Sequence, residues 1–291
     1  DDTMLLRDDL KASIGSEREV EIVEPEAGAY DNMLEQILPK LENAMIQILC
    51  TAKRLRFLGF MVCGTVVLIP AHYLLHFTED EELVILSHRG IKRVKYYGRN
   101  VSLFSNYQDL CLLDLGVSMI PWPDMRKHFI SDKQLTSLKS GSGFLLNVSY
   151  TQSKMKTMIQ LLDNLEKIDS TIDTPSTLYD MNVGESHVVV SGMRYRALTG
   201  VGFCGSIILS GDKRMEKKIL GIHVAANADH FVGYGEFVTE EMLRSAKFPN
   251  NATHLGLAEC DLELEPLLCK DKPNLPRAMK LPSKGVLKSQ L

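Results

Sequence analysis

The sequence predicts a mostly β protein in two halves, and three observations carry that expectation. Short apolar runs rich in β-branched residues recur along the chain. Glycine and asparagine turn signals separate them, and Ser140-Gly141-Ser142-Gly143 punctuates the middle as a domain junction. At 291 residues, with 45% hydrophobic residues, the chain can bury one large core or two modest ones.

Taken in order, residues 1–44 read as a polar extension that is partly helical. Apolar residues fall at helical spacing from Asn32 to Asn43, with Pro39 set to break or kink the helix, and Glu21 to Gly28 reads as a linker. Strand-like runs follow within 45–140: Met45 to Thr51, Phe57 to Ile69, Leu83 to Ser87, Arg93 to Tyr97 and Asp109 to Leu115. Phe57 to Ile69 carries two glycines and closes at Pro70, so it reads as paired buried strands. It falls short of the roughly 18–20 apolar residues a spanning helix needs, and no membrane span is expected. The second half, 141–248, offers Phe144 to Tyr150, Met155 to Leu162, His187 to Arg196, Ser206 to Ser210, Ile219 to Ala226 and Phe231 to Phe237. Asp163 to Gly184 reads either as a long hairpin or as a short helix and loop. Glu240 to Ala246 predicts a closing helix, and residues 249–291, with Pro273, Pro276 and Pro282, a loosely ordered tail.

Charge and cysteine usage exclude several classes. A net charge of −4 fits neither a nucleic-acid coat nor a disordered acidic tail. Of six cysteines, Cys50, Cys63 and Cys111 lie in apolar runs, as reduced core thiols do, while Cys260 and Cys269 lack the spacing of a zinc site. No metal and no cofactor are expected, and the compartment reads as reducing. The first residues show no basic stretch followed by an apolar one, so no signal peptide is expected, and the sequons at Asn100, Asn147 and Asn251 would matter only in a secreted protein. The missing initiator Met suggests a fragment released from a longer precursor.

Three segments carry chemistry. Thr199-Gly200-Val201-Gly202-Phe203-Cys204-Gly205-Ser206 places a thiol in a glycine-rich turn between apolar runs. Such a turn can aim successive backbone N–H groups at one point, where the oxyanion of a tetrahedral intermediate would sit. A structural turn with a buried thiol would look the same. His72 stands just past the apolar run that ends at Pro70, where a scaffold can hold a base beside a cleft. Asp109 opens a Leu/Cys-rich strand and is placed to orient that imidazole. Asp114 is its rival, five residues on and so on the opposite face.

The chain order His72, Asp109, Cys204, with Gly221-Ile222-His223 downstream, resembles the 3C-like cysteine proteases of picornaviruses and their relatives. Leu68-Ile69-Pro70-Ala71-His72 resembles the family's strand ending in Pro-x-His, and Asp109-Leu110-Cys111-Leu112-Leu113 its acid followed by an apolar run. Pro121 to Phe129 sits where the family has an aromatic and basic segment. The similarity spans roughly residues 45 to 245. The long region before Met45 and the extended tail look most like insect-infecting iflaviruses or dicistroviruses.

The resemblance implies a chymotrypsin-like double antiparallel β-barrel with an N-terminal helical extension, His72 and Asp109 coming from the first barrel and Cys204 from the second. It implies a polyprotein-processing cysteine endopeptidase in the host cytoplasm, cutting viral polyprotein substrates after Gln or Glu through a thioester on Cys204. Gly202, Phe203 and Cys204 would form the oxyanion hole. Thr199, His223, Val224 and Ala225 would bind substrate. Proteases of this type often also bind viral RNA, so the basic residues Arg126 and Lys127 become RNA-contact candidates and an RNA-binding module the alternative reading. An inactive scaffold with the same fold is a third, and homodimerisation stays open.

Overall fold

The computed structural model describes residues 32–104, 108–151, 154–168, 176–180, 185–189, 192–199, 202–227, 231–246 and 287–289. Helix α1 (Asn32–Ala44) leads directly into a seven-stranded antiparallel sheet built from β1 (Met45–Cys50), β2 (Leu55–Cys63), β3 (Val66–Ile69), β4 (Glu82–Ser87), β5 (Gly90–Lys95), β6 (Val101–Leu103) and β7 (Cys111–Asp114). Its strand order is β5-β4-β1-β2-β3-β7-β6. The run from Phe57 to Ile69 is indeed a strand pair, with Phe60 opposite Leu68. Every residue from Phe57 to Ile69 is buried, so both faces of this hairpin are covered and its apolar runs do not alternate.

After the short helix α2 (Asp132–Ser137), the second half is a closed barrel. It is formed by β8 (Gly141–Thr151), β9 (Lys154–Lys167), β12 (Met193–Arg196), β13 (Ile207–Ser210), β14 (Ile219–Asn227) and β15 (Val232–Phe237), in the order β12-β15-β14-β13-β8-β9. A separate three-stranded sheet holds β10 (Ser176–Asp180), β11 (Glu185–Val189) and β16 (Leu287–Ser289), with β10 central. Helix α3 (Glu240–Ser245) follows β15, its first turn capped by the Thr239 side chain. No helix among the described residues is long and apolar enough to cross a membrane.

Several expectations need correction. The helix runs through Pro39. Pro39 and Glu35, whose carbonyl loses its donor, are both exposed, while Leu34 and Leu41 are buried and anchor the turns on either side. Gly141 to Gly143 opens β8, the first strand of the barrel, and a Cβ at Gly143 would lie 2.6 Å from the Leu209 carbonyl oxygen, so glycine also serves close strand approach there. His187 to Arg196 is two strands in different sheets, β11 and β12. In the ambiguous stretch, β9 extends to Lys167 and β10 pairs antiparallel with β11, which favours the hairpin reading. The linker Glu21 to Gly28, the tail's prolines, Cys260, Cys269 and Asn251 lie outside the described residues. Within the tail, Leu287–Ser289 is a strand parallel to β10.

The two halves share one apolar core that draws on β1–β4 and β7 from one side and on β8 and β13–β15 from the other. Each fully buried Leu, Ile, Val or Phe contributes about 1.5–3 kcal/mol. Hydrogen bonds add directional ties across the seam. The Tyr150 hydroxyl donates to the Met45 carbonyl at 3.2 Å, and Gln47 Nε2 to the Val148 carbonyl at 3.4 Å. Trp122 Nε1 donates to the Asn43 carbonyl at 3.1 Å and pins α1 to the loop after β7.

Candidate active site

Pro70 cannot continue β3, and the chain turns into a 3₁₀ segment, Ala71–His76. The pairing of Ile69 with Cys111 brings the residues preceding β7 beside this turn. The Ala71 N–H donates to the Asp109 carbonyl at 3.2 Å and the His72 N–H to Asp109 Oδ1 at 2.8 Å. Asp109 Oδ2 lies 2.5 Å from His72 Nδ1. The backbone bonds set the carboxylate before the side chains meet, so the imidazole is fixed in tautomer and orientation.

His72 is 4% exposed at its side chain and Asp109 22%. Burial alone would lower the imidazole pKa. The Asp109 charge and hydrogen bond, with a smaller influence of the nearby Cys204, outweigh burial and raise it to about 10.

Cys204 arrives from the other half, on a turn between β12 and β13. Gly202 and Gly205 take φ of +88° and +86°, which a side chain disfavours. Gly205 is also a close approach, since a Cβ there would lie 2.3 Å from the Leu58 carbonyl oxygen on β2. The turn closes through Ser206 N–H to Phe203 O at 3.0 Å and Gly205 N–H to His223 O at 2.8 Å. The thiol is buried, with Sγ 3.2 Å from the Val224 carbonyl. The Tyr73 hydroxyl donates to the Cys204 carbonyl, so the residue next to the imidazole grips the backbone that carries the thiol. Asn147 Nδ2 supports the turn from β8 through Ser206 Oγ at 2.9 Å.

His223 is fully buried on β14, and its Nδ1 lies 2.5 Å from the Tyr195 hydroxyl. Burial, helped by the charge of His72, lowers its pKa to about 3, so the ring is neutral. Burial raises the Tyr195 hydroxyl well above its usual range, and that hydroxyl keeps its proton. His223 Nε2 has no hydrogen-bond partner among the described residues. A buried polar atom left without a partner costs about 1–3 kcal/mol and calls for a ligand or a water. Val224 and Ala225 follow on the same buried strand. Thr199 is half-buried after β12. Gly200 and Val201 lie outside the described residues.

Other candidates resolve differently. Asp114 accepts from Thr65 Oγ1 at 2.5 Å and the Gly116 N–H at 2.9 Å, capping the end of β7 away from His72. Arg126 is corrected as an RNA contact. It is 5% exposed, with Nε and Nη2 held by Asp124 at 3.0 and 2.8 Å, so its charge is turned inward and spent. Lys127 beside it is exposed. Asn100 and Asn147 are buried in hydrogen bonds and closed to glycosylation. Cys50, Cys63, Cys111 and Cys204 are buried and are in no disulfide. Sequence reasoning missed Tyr73 and Tyr195, whose bonds to Cys204 and His223 leave no local signal.

Comparison with known proteins settles the family. The model of the tungro spherical virus-type peptidases matches residues 28–249. The chain belongs to this family. It is a viral 3C-like peptidase with a chymotrypsin-like fold. It is 31% identical over 185 residues to the genome polyprotein of rice tungro spherical virus (strain A), covering 64% of this chain and 5% of that polyprotein. It is 25% identical over 195 residues to the replicase polyprotein of acute bee paralysis virus (strain Rothamsted), covering 64% and 10%. The chain therefore spans a small fraction of the curated relatives it matches. Among solved structures, a tobacco etch virus protease mutant matches with a TM-score of 0.53 at 15% identity over 86% of this chain and 96% of that one. Catalytically active tobacco etch virus protease complexed with product gives 0.51 and 15%, over 79% and 86%. At such identity this likeness bears on the fold alone, and the peptidase's own residues must carry the chemistry.

Proposed function

We propose that the peptidase processes a viral polyprotein through a thioester acyl-enzyme on Cys204, with His72 as base and acid and Asp109 as the carboxylate that orients it. The observation that carries this reading is the His72 ring, gripped by Asp109 on its own side, with the Cys204 thiol of the other half near enough to help raise its pKa. Sγ attacks the scissile carbonyl carbon while His72 Nε2 holds the thiol's proton. The backbone N–H groups of Gly202, Phe203 and Cys204 receive the oxyanion. As the C–N bond breaks, His72 gives the proton to the leaving amine. Water then attacks the thioester, losing a proton to His72, and the carboxylic product leaves with the thiol restored.

Cleavage after Gln or Glu follows from the neutral His223. With the Tyr195 hydroxyl donating to Nδ1, the ring proton sits on Nε2, the atom without a partner. That N–H and the Thr199 hydroxyl would donate to the side-chain carbonyl of the residue before the scissile bond, with Val224 and Ala225 along the substrate backbone. A site of buried donors rejects substrates that leave them unpaired.

The test incubates wild type and Cys204→Ala with the precursor polyprotein and maps the cut ends. Cuts after Gln or Glu, absent with Cys204→Ala, are expected. Cutting by the Cys204→Ala protein would refute the thioester, and cuts after unrelated residues would refute the pocket.

A further inference from the structure

Three consecutive carbonyls of the nucleophile turn are anchored, each from a different place. The Gly202 carbonyl accepts from Asn147 Nδ2 on β8 at 3.5 Å, and the Phe203 carbonyl from the Ser206 N–H within the turn at 3.0 Å. The Cys204 carbonyl accepts from the Tyr73 hydroxyl, which comes from the other half of the molecule. In a planar trans peptide the N–H points away from the carbonyl. The peptide after Cys204 is therefore held from both sides, by Tyr73 at its carbonyl and by the His223 carbonyl at its N–H, 2.8 Å away.

Tyr73 is itself well held. It is 1% exposed, its N–H donates to the Pro70 carbonyl at 3.3 Å, and its ring lies 4.4 Å from that of Phe57. The same ring meets the His72 imidazole edge-on, with 4.9 Å between centroids. One side chain thus touches the imidazole with its ring and the backbone of Cys204 with its hydroxyl. Burial raises the hydroxyl well above the usual tyrosine range, so it keeps the proton it donates.

We infer that Tyr73 is a positioning residue for the reaction: its hydroxyl ties the peptide that follows the thiol to the turn carrying His72, and so sets Sγ in register with the imidazole. This role rests on those proposed for Cys204 and His72. The two groups come from different halves, and the apolar core shared by those halves attracts without direction. A phenylalanine would fill the same space. The hydroxyl adds a bond with a fixed length and angle. Such precision matters, because a misplacement of about 1 Å at a reacting group costs on the order of 100-fold in rate.

The test measures kcat and KM on a peptide spanning a mapped cut of the precursor, for wild type, Tyr73→Phe, Tyr150→Phe and Cys204→Ala. Tyr73→Phe keeps the ring and removes the hydroxyl. Its kcat should fall by about 10- to 100-fold while KM stays within about threefold, the split expected when a reacting group is misplaced and substrate binding is not. Tyr150→Phe removes another hydroxyl bond across the same seam, to the Met45 carbonyl on β1, and should keep the wild-type kcat. Placing 4-aminophenylalanine at position 73 keeps a donor on the same ring and should recover most of the lost rate. A wild-type kcat in Tyr73→Phe would overturn the inference, as would a loss confined to KM. An equal kcat loss in both Phe variants would overturn it too, since that marks a general loosening of the seam. Should Tyr73→Phe fail to fold, the 4-aminophenylalanine protein decides: a kcat near wild type upholds the role, and one lower by about tenfold or more sinks it. Cutting by Cys204→Ala sinks the thioester and this role with it. An inert Cys204→Ala beside an unimpaired Tyr73→Phe sinks this role alone.

Discussion

Gly205→Ala would test whether the nucleophile turn is pressed against the first sheet. Two costs add at this position. At φ +86° an L-residue loses about 1–2 kcal/mol. The new Cβ would also meet the Leu58 carbonyl oxygen at 2.3 Å and its carbon at 2.8 Å, both backbone atoms that no rotamer change can move. Overpacking of this kind costs about 1–3 kcal/mol, so the total is about 2–5 kcal/mol. For a chain of this size the melting temperature should fall by roughly 5–15 °C. The turn can relieve the clash only by backing away from β2, which carries Cys204 away from His72, and kcat should drop on the order of 100-fold. Gly90→Ala is the control. Its φ of +101° imposes the same backbone cost with nothing within 4 Å of the new Cβ, in the β4–β5 turn far from the site. Thermal melts and peptide-substrate kinetics read both variants. If the two lose equal stability and Gly205→Ala keeps its rate, the close approach does not set the geometry.

Two further expectations follow from the electrostatics. Tyr195→Phe removes the group at 2.5 Å from His223 Nδ1 and frees the ring's tautomer, so preference for Gln or Glu in a peptide library should fall about tenfold or more while the fold stays intact. Unaltered preference would dissociate Tyr195 from specificity. Asp109→Asn removes the main influences that raise the His72 pKa to about 10. A raised histidine pKa contributes stability that is complete below the unfolded value near 6.5 and is lost as pH rises through the folded one. The wild type should therefore lose stability toward pH 10, and in the Asn variant the loss should come at lower pH, as should the alkaline fall in kcat/KM. Identical alkaline limbs in pH-dependent melts and rates would contradict the assignment.

Much of this was legible in the chain because local chemistry dictates it. Pro70 has to end a strand, so His72 at a strand mouth could be read from five residues. Gly202 and Gly205 announce a turn that other residues resist. Asp109 and Asp114 read as opposite faces of one strand. Yet β7 runs Cys111–Asp114 and Asp109 precedes it, so the start of the strand and not its alternation separates the two acids. Pro39 misled, because the local rule against proline gives way where its neighbours are anchored in a core and the orphaned carbonyl is exposed. Arg126 misled for the same kind of reason. Its charge reads as surface from the sequence, but the guanidinium is buried and pairs with Asp124, two residues away, at the protein's edge.

The sequence by itself determined most of the strands, the glycine turn that carries Cys204, and which imidazole, carboxylate and thiol to propose as the reacting groups. These follow from steric preferences within a few residues. Only the tertiary structure decided which groups meet: Tyr73 with the Cys204 backbone, and Tyr195 with His223. Those contacts join residues 131 and 28 positions apart in the chain, and burial changes their protonation as well as their partners. No periodicity encodes such pairings, because they depend on how two closed surfaces fit and on what charge that fit can tolerate.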